Sequence, residues 1–177
     1  GVKFHNGEPF NAEAVKFSIE RQLTHPKSRA KAALGPVERV EIVDEYTVNV
    51  VSKGPFPVLL ARMTYAGSGS VVMLPPKYVA EKGDDFAAHP IGTGPFKFFE
   101  WLKGDRVTLE ANPDYWRAKP KVQRVTFRFI PETATRIASL LNGETDIIEN
   151  IPPDQVDRVA GSPNATDQLF LWLVNAY

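Results

Sequence analysis

The sequence predicts a mixed α/β protein, because helix-like and strand-like segments alternate along the chain. Apolar residues after Asn11 recur at helical spacing, which favours an amphipathic helix. Two runs rich in β-branched residues then flank the acidic pair Asp44-Glu45, a pattern typical of a hairpin. From Ile91 onward the sequence pattern changes to strands joined by turns, so we expect a boundary between two parts of the fold near Ala88-His89-Pro90.

Composition excludes several classes of function. A length of 177 residues suits one domain or two small lobes. The 21 Lys and Arg balance the 21 Asp and Glu, so the basic excess of a nucleic-acid-binding protein is absent. The chain has no Cys, and His5, His25 and His89 lack metal-ligand spacing. No apolar run reaches the roughly 20 residues of a membrane helix. We therefore expect no cofactor, no metal, no catalytic residues, no nucleic-acid partner and no integral membrane segment.

The first half of the chain predicts a capped helix, a hairpin and short helices. Asn11 caps the first helix, which ends at His25-Pro26 because the residue before proline avoids the α region. The remaining predicted elements are strands at 37–43 and 46–51, helical turns at 58–63, and a helix that begins at Pro75-Pro76 and stops at Gly83.

The second half predicts more strands than helices. One helix is expected over 132–141, with Gly143 as its C-terminal cap. The other predicted elements are a hairpin of strands 96–102 and 106–111, strands at 122–130, 146–149 and 169–174, and a helix from Pro152.

Four segments carry the most specific signals. They are residues 1–18 (GVKFHNGEPFNAEAVKFS), 90–98 (PIGTGPFKF), 105–116 (DRVTLEANPDYW) and 143–147 (GETDI). Each resembles a segment of the family 5 extracellular solute-binding proteins, the dipeptide-, oligopeptide- and nickel-binding receptors of ABC importers. The four matches follow the family order and span nearly the whole chain.

This resemblance implies the N-terminal lobe of a type II periplasmic-binding-protein-like fold, present as a partial chain. Residues 1–89 would form a smaller appended domain of that lobe. Residues 90–177 would form its main α/β sheet domain and end near the strand that crosses between the lobes. The same resemblance implies a protein in the periplasm, or outside the cell and anchored at its surface.

The implied function is capture of a small solute, with a peptide favoured, and its delivery to the membrane permease of an ABC importer by hinge closure. No enzyme activity is expected. Exposed edges on a partial chain would favour self-association, because unpaired strands pair with other chains.

The terminal run 169–174 is apolar on both faces, as in a central buried strand. In the family, the strand at this place runs beside the ligand cleft. The resemblance therefore makes Trp172, Asn175 and Tyr177 the candidate ligand-binding residues.

The local motifs also receive ordinary structural interpretations. Gly92-Thr93-Gly94-Pro95 lacks the spacing of a phosphate loop and predicts a tight turn that uses glycine's backbone freedom. The aromatic pair Tyr115-Trp116 is expected to pack in the core, with a clamp on a peptide or sugar as the alternative. His5 is expected to be exposed or bonded locally.

Two other functions compete with solute capture. The first is a ligand-sensing domain of a transcription regulator. The second is a carboxylate-dependent hydrolase, which requires two carboxylates placed across a cleft. The available carboxylate groups are Asp84-Asp85, Glu110 with Asp114, and Glu144 with Asp146 and Glu149, and all are expected to be solvated or to cap turns.

Overall fold

The computed structural model describes residues 1–28, 30–64, 71–163 and 165. The helices are α1 (Ala12–Thr24), α2 (Lys31–Leu34), α3 (Leu59–Met63), α4 (Pro76–Lys82), α5 (Thr133–Leu141) and α6 (Val156–Ala160), with 3-10 helices at Gly83–Ala87 and Pro153–Gln155. The strands are β1 (Val37–Asp44), β2 (Thr47–Ser52), β3 (Phe96–Leu102), β4 (Arg106–Ala111) and β5 (Arg124–Arg128). The predicted mixed α/β class is confirmed.

The chain divides into two compact units. The first unit comprises Gly1–Trp101 and Val107–Thr126, and the second comprises Leu102–Arg106 and Phe127–Tyr177. The family resemblance predicts a domain boundary between residues 89 and 90. That domain assignment stays a prediction.

Helix α1 packs against the antiparallel hairpin of β1 and β2 in the first unit. Its N-cap is Asn11, whose side chain accepts a hydrogen bond from the Ala14 amide at 3.1 Å, as predicted. Four buried apolar residues form the core between helix and hairpin: Ile19, Leu34, Val37 and Val40. Burial of such side chains supplies most of the stabilisation of a small unit.

Two buried polar residues on α1 hold an extended segment beside the helix. The Ser18 hydroxyl accepts a hydrogen bond from the Leu74 amide at 2.8 Å, and the Gln22 amide donates to the Val72 carbonyl at 2.8 Å. These side chains bond backbone groups that a neighbouring strand would otherwise satisfy. The segment 71–74 therefore lies against α1 without belonging to a sheet.

A second sheet has the strand order β3-β4-β5. The turn 103–105 joins the adjacent strands β3 and β4, so the predicted second hairpin is confirmed. Strand β5 adds to the free edge of β4, where the Ala111 amide donates to the Gln123 carbonyl at 2.8 Å.

In the second unit, helix α5 ends as its sequence predicts. Gly143 follows it with φ +73°, and the Gly143 amide donates to the Leu140 carbonyl at 3.0 Å. The strand expected at 146–149 is absent from the structure. Ile147 is 86% exposed, so this segment does not bury an apolar face against a sheet. Asn150, directly after it, adopts the left-handed conformation with φ +58°.

Candidate functional site

Three of the four motif segments meet at the loop 91–95 in the first unit. The His5 amide donates to the Gly92 carbonyl at 2.9 Å, which fixes the N-terminal motif against this loop. The His5 ring makes two further contacts: the Gly92 amide donates to Nδ1 at 3.3 Å, and Nε2 lies 3.0 Å from the Gly94 carbonyl oxygen. The His5 side chain therefore bonds two backbone groups of a loop that lies almost 90 positions away in sequence.

These contacts define the protonation state of His5. Nδ1 accepts a hydrogen bond and so carries no proton, while Nε2 faces a carbonyl and must donate. Burial of the ring lowers the pKa of His5 below its usual value of 6.5. The Gly94 carbonyl opposes that shift, and the positive charge of Lys97 adds to it. The neutral Nε2-protonated ring is thus the form that fits the loop.

The third motif reaches the same loop from strand β4. The Asn112 amide donates to the Pro95 carbonyl at 2.8 Å, and the Asn112 side chain donates to the Gly94 carbonyl at 3.2 Å. The indole nitrogen of Trp116 donates to the Thr93 carbonyl at 3.0 Å. The loop carbonyls are therefore bonded by residues from both flanking motifs.

The structure corrects three expectations about these residues. His5 is partly buried and bonds across 87 and 89 positions of sequence rather than locally. Trp116 is 48% exposed, with the Arg117 guanidinium 4.3 Å from its ring centre, so it does not pack in the core. Gly92 and Gly94 form the predicted turn without left-handed angles, and a Cβ at either position would meet nothing closer than 3.9 Å.

Glu8, also in the first motif, caps helix α4. Its carboxylate accepts hydrogen bonds from the backbone amides of Lys77 and Tyr78, both at 3.0 Å. These amides belong to the first turn of the helix, where no intrahelical partner exists. Sequence reasoning missed this contact, because Glu8 and α4 are about 70 positions apart and no local pattern links them.

A surface pocket of about 280 Å³ lies beside the His5 contacts in the first unit. Its polar lining comprises His5, Asn6, Tyr78, His89, Lys97 and Glu110. Ile91 and Phe98 supply apolar walls, and the Phe98 ring meets the His89 ring edge-to-face at 5.8 Å. The Tyr78 hydroxyl is already engaged, because it donates to the His89 carbonyl at 2.9 Å. Sequence reasoning did not anticipate this pocket.

The arrangement suits non-covalent binding better than acid–base chemistry. Both ring nitrogens of His5 are engaged by backbone groups, so the ring has no free position for proton transfer. Among the carboxylates, exposed Asp84 pairs with Lys27 at 3.5 Å, and exposed Glu144 pairs with Arg128 at 3.9 Å. Across the described ranges, no three His, Asp or Glu side chains cluster closely enough to hold a metal ion.

The predicted ligand-binding residues Trp172, Asn175 and Tyr177 lie outside the described residues, as does the predicted strand 169–174. Their assignment stays a prediction. No helix in the part of the chain that the structure describes combines the length and apolar character needed to cross a bilayer.

Residues 1–173 match the family described as bacterial extracellular solute-binding proteins, family 5 Middle. The chain belongs to this family. The glutathione-binding protein GsiB of Pectobacterium atrosepticum is 35% identical over 158 residues, which cover 88% of this chain and 30% of that protein. The chain thus spans about a third of the length of the curated relatives that it matches.

Solved structures of periplasmic binding proteins share the fold. The protein AgaA of A. tumefaciens R10, bound to agropinic acid, is 30% identical, with a TM-score of 0.82 over 92% of this chain and 33% of that one. The ABC transporter-associated periplasmic binding protein DppA of Helicobacter pylori, bound to the peptide STSA, is 30% identical, with a TM-score of 0.81 over 92% of this chain and 36% of that one. The predicted periplasmic-binding-protein-like fold is confirmed, and these relatives are binding proteins.

Proposed function

We propose that this chain is part of an extracytoplasmic receptor that captures a small solute and hands it to the permease of an ABC importer. The match of residues 1–173 to family 5 is the observation that carries the proposal. A peptide is the favoured solute, since similar proteins bind glutathione or the peptide STSA by name. The names of these relatives favour neither a regulator nor a hydrolase.

The proposed mechanism is reversible closure of two lobes about a hinge, in which the solute stabilises the closed state and no bond is broken. Residues 1–89 serve as the smaller appended domain and residues 90–177 as part of the main sheet domain. Trp172, Asn175 and Tyr177 contact the solute. The protein works in the periplasm or at the outer cell surface.

Isothermal titration calorimetry on the intact gene product tests this function. The titrants are glutathione, a set of dipeptides and tripeptides, and an opine as a non-peptide comparison. We expect one-to-one binding of at least one peptide at micromolar or lower Kd, with the peptide recovered unchanged. Binding of the opine alone would contradict the peptide assignment, and turnover of any titrant would contradict the receptor assignment.

A second measurement tests the proposed contact residues. Trp172→Ala and Asn175→Ala in the intact protein are each expected to weaken peptide binding by about tenfold or more, as for buried anchor residues at other interfaces. Trp101→Ala is the matched control, since Trp101 is 45% exposed on strand β3. Equal Kd values for the Trp172→Ala and Trp101→Ala variants would show that Trp172 does not contact the solute.

A further inference from the structure

The pocket beside His5 contains two opposite charges without partners. Lys97 on β3 and Glu110 on β4 both line it, and both side chains are partly buried. Within the described residues, neither side chain forms an ion pair or a hydrogen bond. By contrast, Lys16 pairs with Glu20 at 2.6 Å, and Arg39 pairs with Glu41 at 2.6 Å.

Each of these charged groups is partly buried, and a ligand group of opposite charge would form a charge-assisted hydrogen bond with it. A ligand that carries both an ammonium and a carboxylate satisfies Glu110 and Lys97 together. A singly charged ligand leaves one of them unpaired.

The walls of the pocket are held in place before any ligand arrives. The Tyr78 hydroxyl is bonded to the His89 carbonyl, and the His5 ring is bonded at both nitrogens. The edge-to-face contact of His89 with Phe98 orders the apolar wall. A preformed pocket loses less conformational entropy on binding than a mobile surface.

The volume of this open surface pocket sets the scale of the ligand part that it can hold. Pockets for drug-sized molecules run from about 300 to 1,000 Å³, and this one holds about 280 Å³. The space therefore suits a molecule of amino-acid size with a modest apolar side chain.

We propose that this pocket binds a small zwitterion of amino-acid size, with the ligand ammonium at Glu110, its carboxylate at Lys97 and its apolar side chain against Phe98. This site goes beyond solute capture by the two-lobed cleft and does not depend on it.

Nuclear magnetic resonance on the intact, ¹⁵N-labelled gene product tests the site with three probes of similar shape. The probes are L-leucine, 3-methylbutylamine, which lacks the carboxylate, and 4-methylpentanoate, which lacks the ammonium. We expect L-leucine to shift the Lys97, Phe98 and Glu110 amides saturably. Each singly charged probe should bind at least about tenfold more weakly than L-leucine, since one charged contact is lost.

Two variants locate the charges. Lys97→Met should reduce leucine affinity to that of the amine probe, and Glu110→Gln should reduce it to that of the carboxylate probe. Lys103→Met, in the exposed turn after β3, and Glu149→Gln, also exposed, are controls that should bind leucine like the unmodified protein.

Unchanged amide shifts with leucine would overturn this site, as would equal affinity for all three probes. These outcomes leave the receptor function untouched, because calorimetry with peptides measures that function separately. Conversely, an intact protein that binds no peptide but shows the leucine shifts would retain this site and lose the proposed receptor function.

Discussion

At the scale of single residues, the His5 imidazole joins two motifs through the backbone of Gly92 and Gly94. The neutral ring is required, since protonated Nδ1 cannot accept from the Gly92 amide. Because the folded-state pKa of His5 is lowered, the unfolded chain binds the proton more readily. The stability that the neutral ring contributes is therefore present above pH 6.5 and is lost as the pH falls below that value.

We predict that the free energy of unfolding declines from pH 7.5 to pH 5.0 and that His5→Gln reduces this decline. The variant should also cost about 1–2 kcal/mol at pH 7.5, the worth of one or two hydrogen bonds. Urea unfolding at both pH values measures both effects. His25→Gln is the control, because the His25 ring accepts from the Lys27 amide within one local turn. If the free energy of unfolding has the same pH dependence in the His5 variant and in the unmodified protein, neutral His5 is not the source of the decline.

At the scale of elements, helix α4 depends on a carboxylate from outside its own sequence. The helix begins at Pro76, and its next two amides donate to Glu8. A carboxylate at this end also interacts favourably with the positive end of the helix dipole. The N-terminal motif therefore stabilises a helix far along the chain.

Glu8→Ala is predicted to destabilise the protein by about 0.5–2 kcal/mol, the usual cost of losing an N-cap. Hydrogen exchange should locate the effect, with faster exchange of the Lys77 and Tyr78 amides and little change in α1. Glu13→Ala, an exposed acidic residue in the first turn of α1, is the control that leaves exchange in α4 unchanged. Unaltered exchange of the Lys77 and Tyr78 amides in the Glu8→Ala variant would show that Glu8 does not cap α4.

At the scale of the whole molecule, the chain matches about 30% of the length of GsiB and 36% of DppA. A receptor that closes around a solute needs contacts from both lobes to stabilise the closed state. We predict that residues 1–177 alone bind the peptide at least about a hundredfold more weakly than the intact protein, a loss of roughly 3 kcal/mol of contacts.

Calorimetry of both proteins with the same peptide measures this difference. Small-angle scattering adds a second readout, because the radius of gyration of the intact protein should decrease when the peptide binds. Micromolar binding by residues 1–177 would show that the described fold captures solute without a second lobe.

Local signals predicted most elements correctly. Asn11, the proline after His25 and Gly143 act through their own neighbours, so their effects are visible in sequence. The hairpin was also predicted, but its turn falls at Glu45 and Tyr46, one position after the predicted pair Asp44-Glu45. The segment 146–149 was predicted wrongly, because a strand needs a partner and a face to bury, and local pattern provides neither.

The sequence by itself determined the α/β class, the helix caps and the four motifs that identify the family. Only the tertiary structure decided what those motifs contact: His5 on Gly92 and Gly94, and Glu8 on helix α4. The physical reason is distance along the chain. Capping and turn formation act over a few residues, whereas these hydrogen bonds join groups about 70 to 90 positions apart, which only folding brings together.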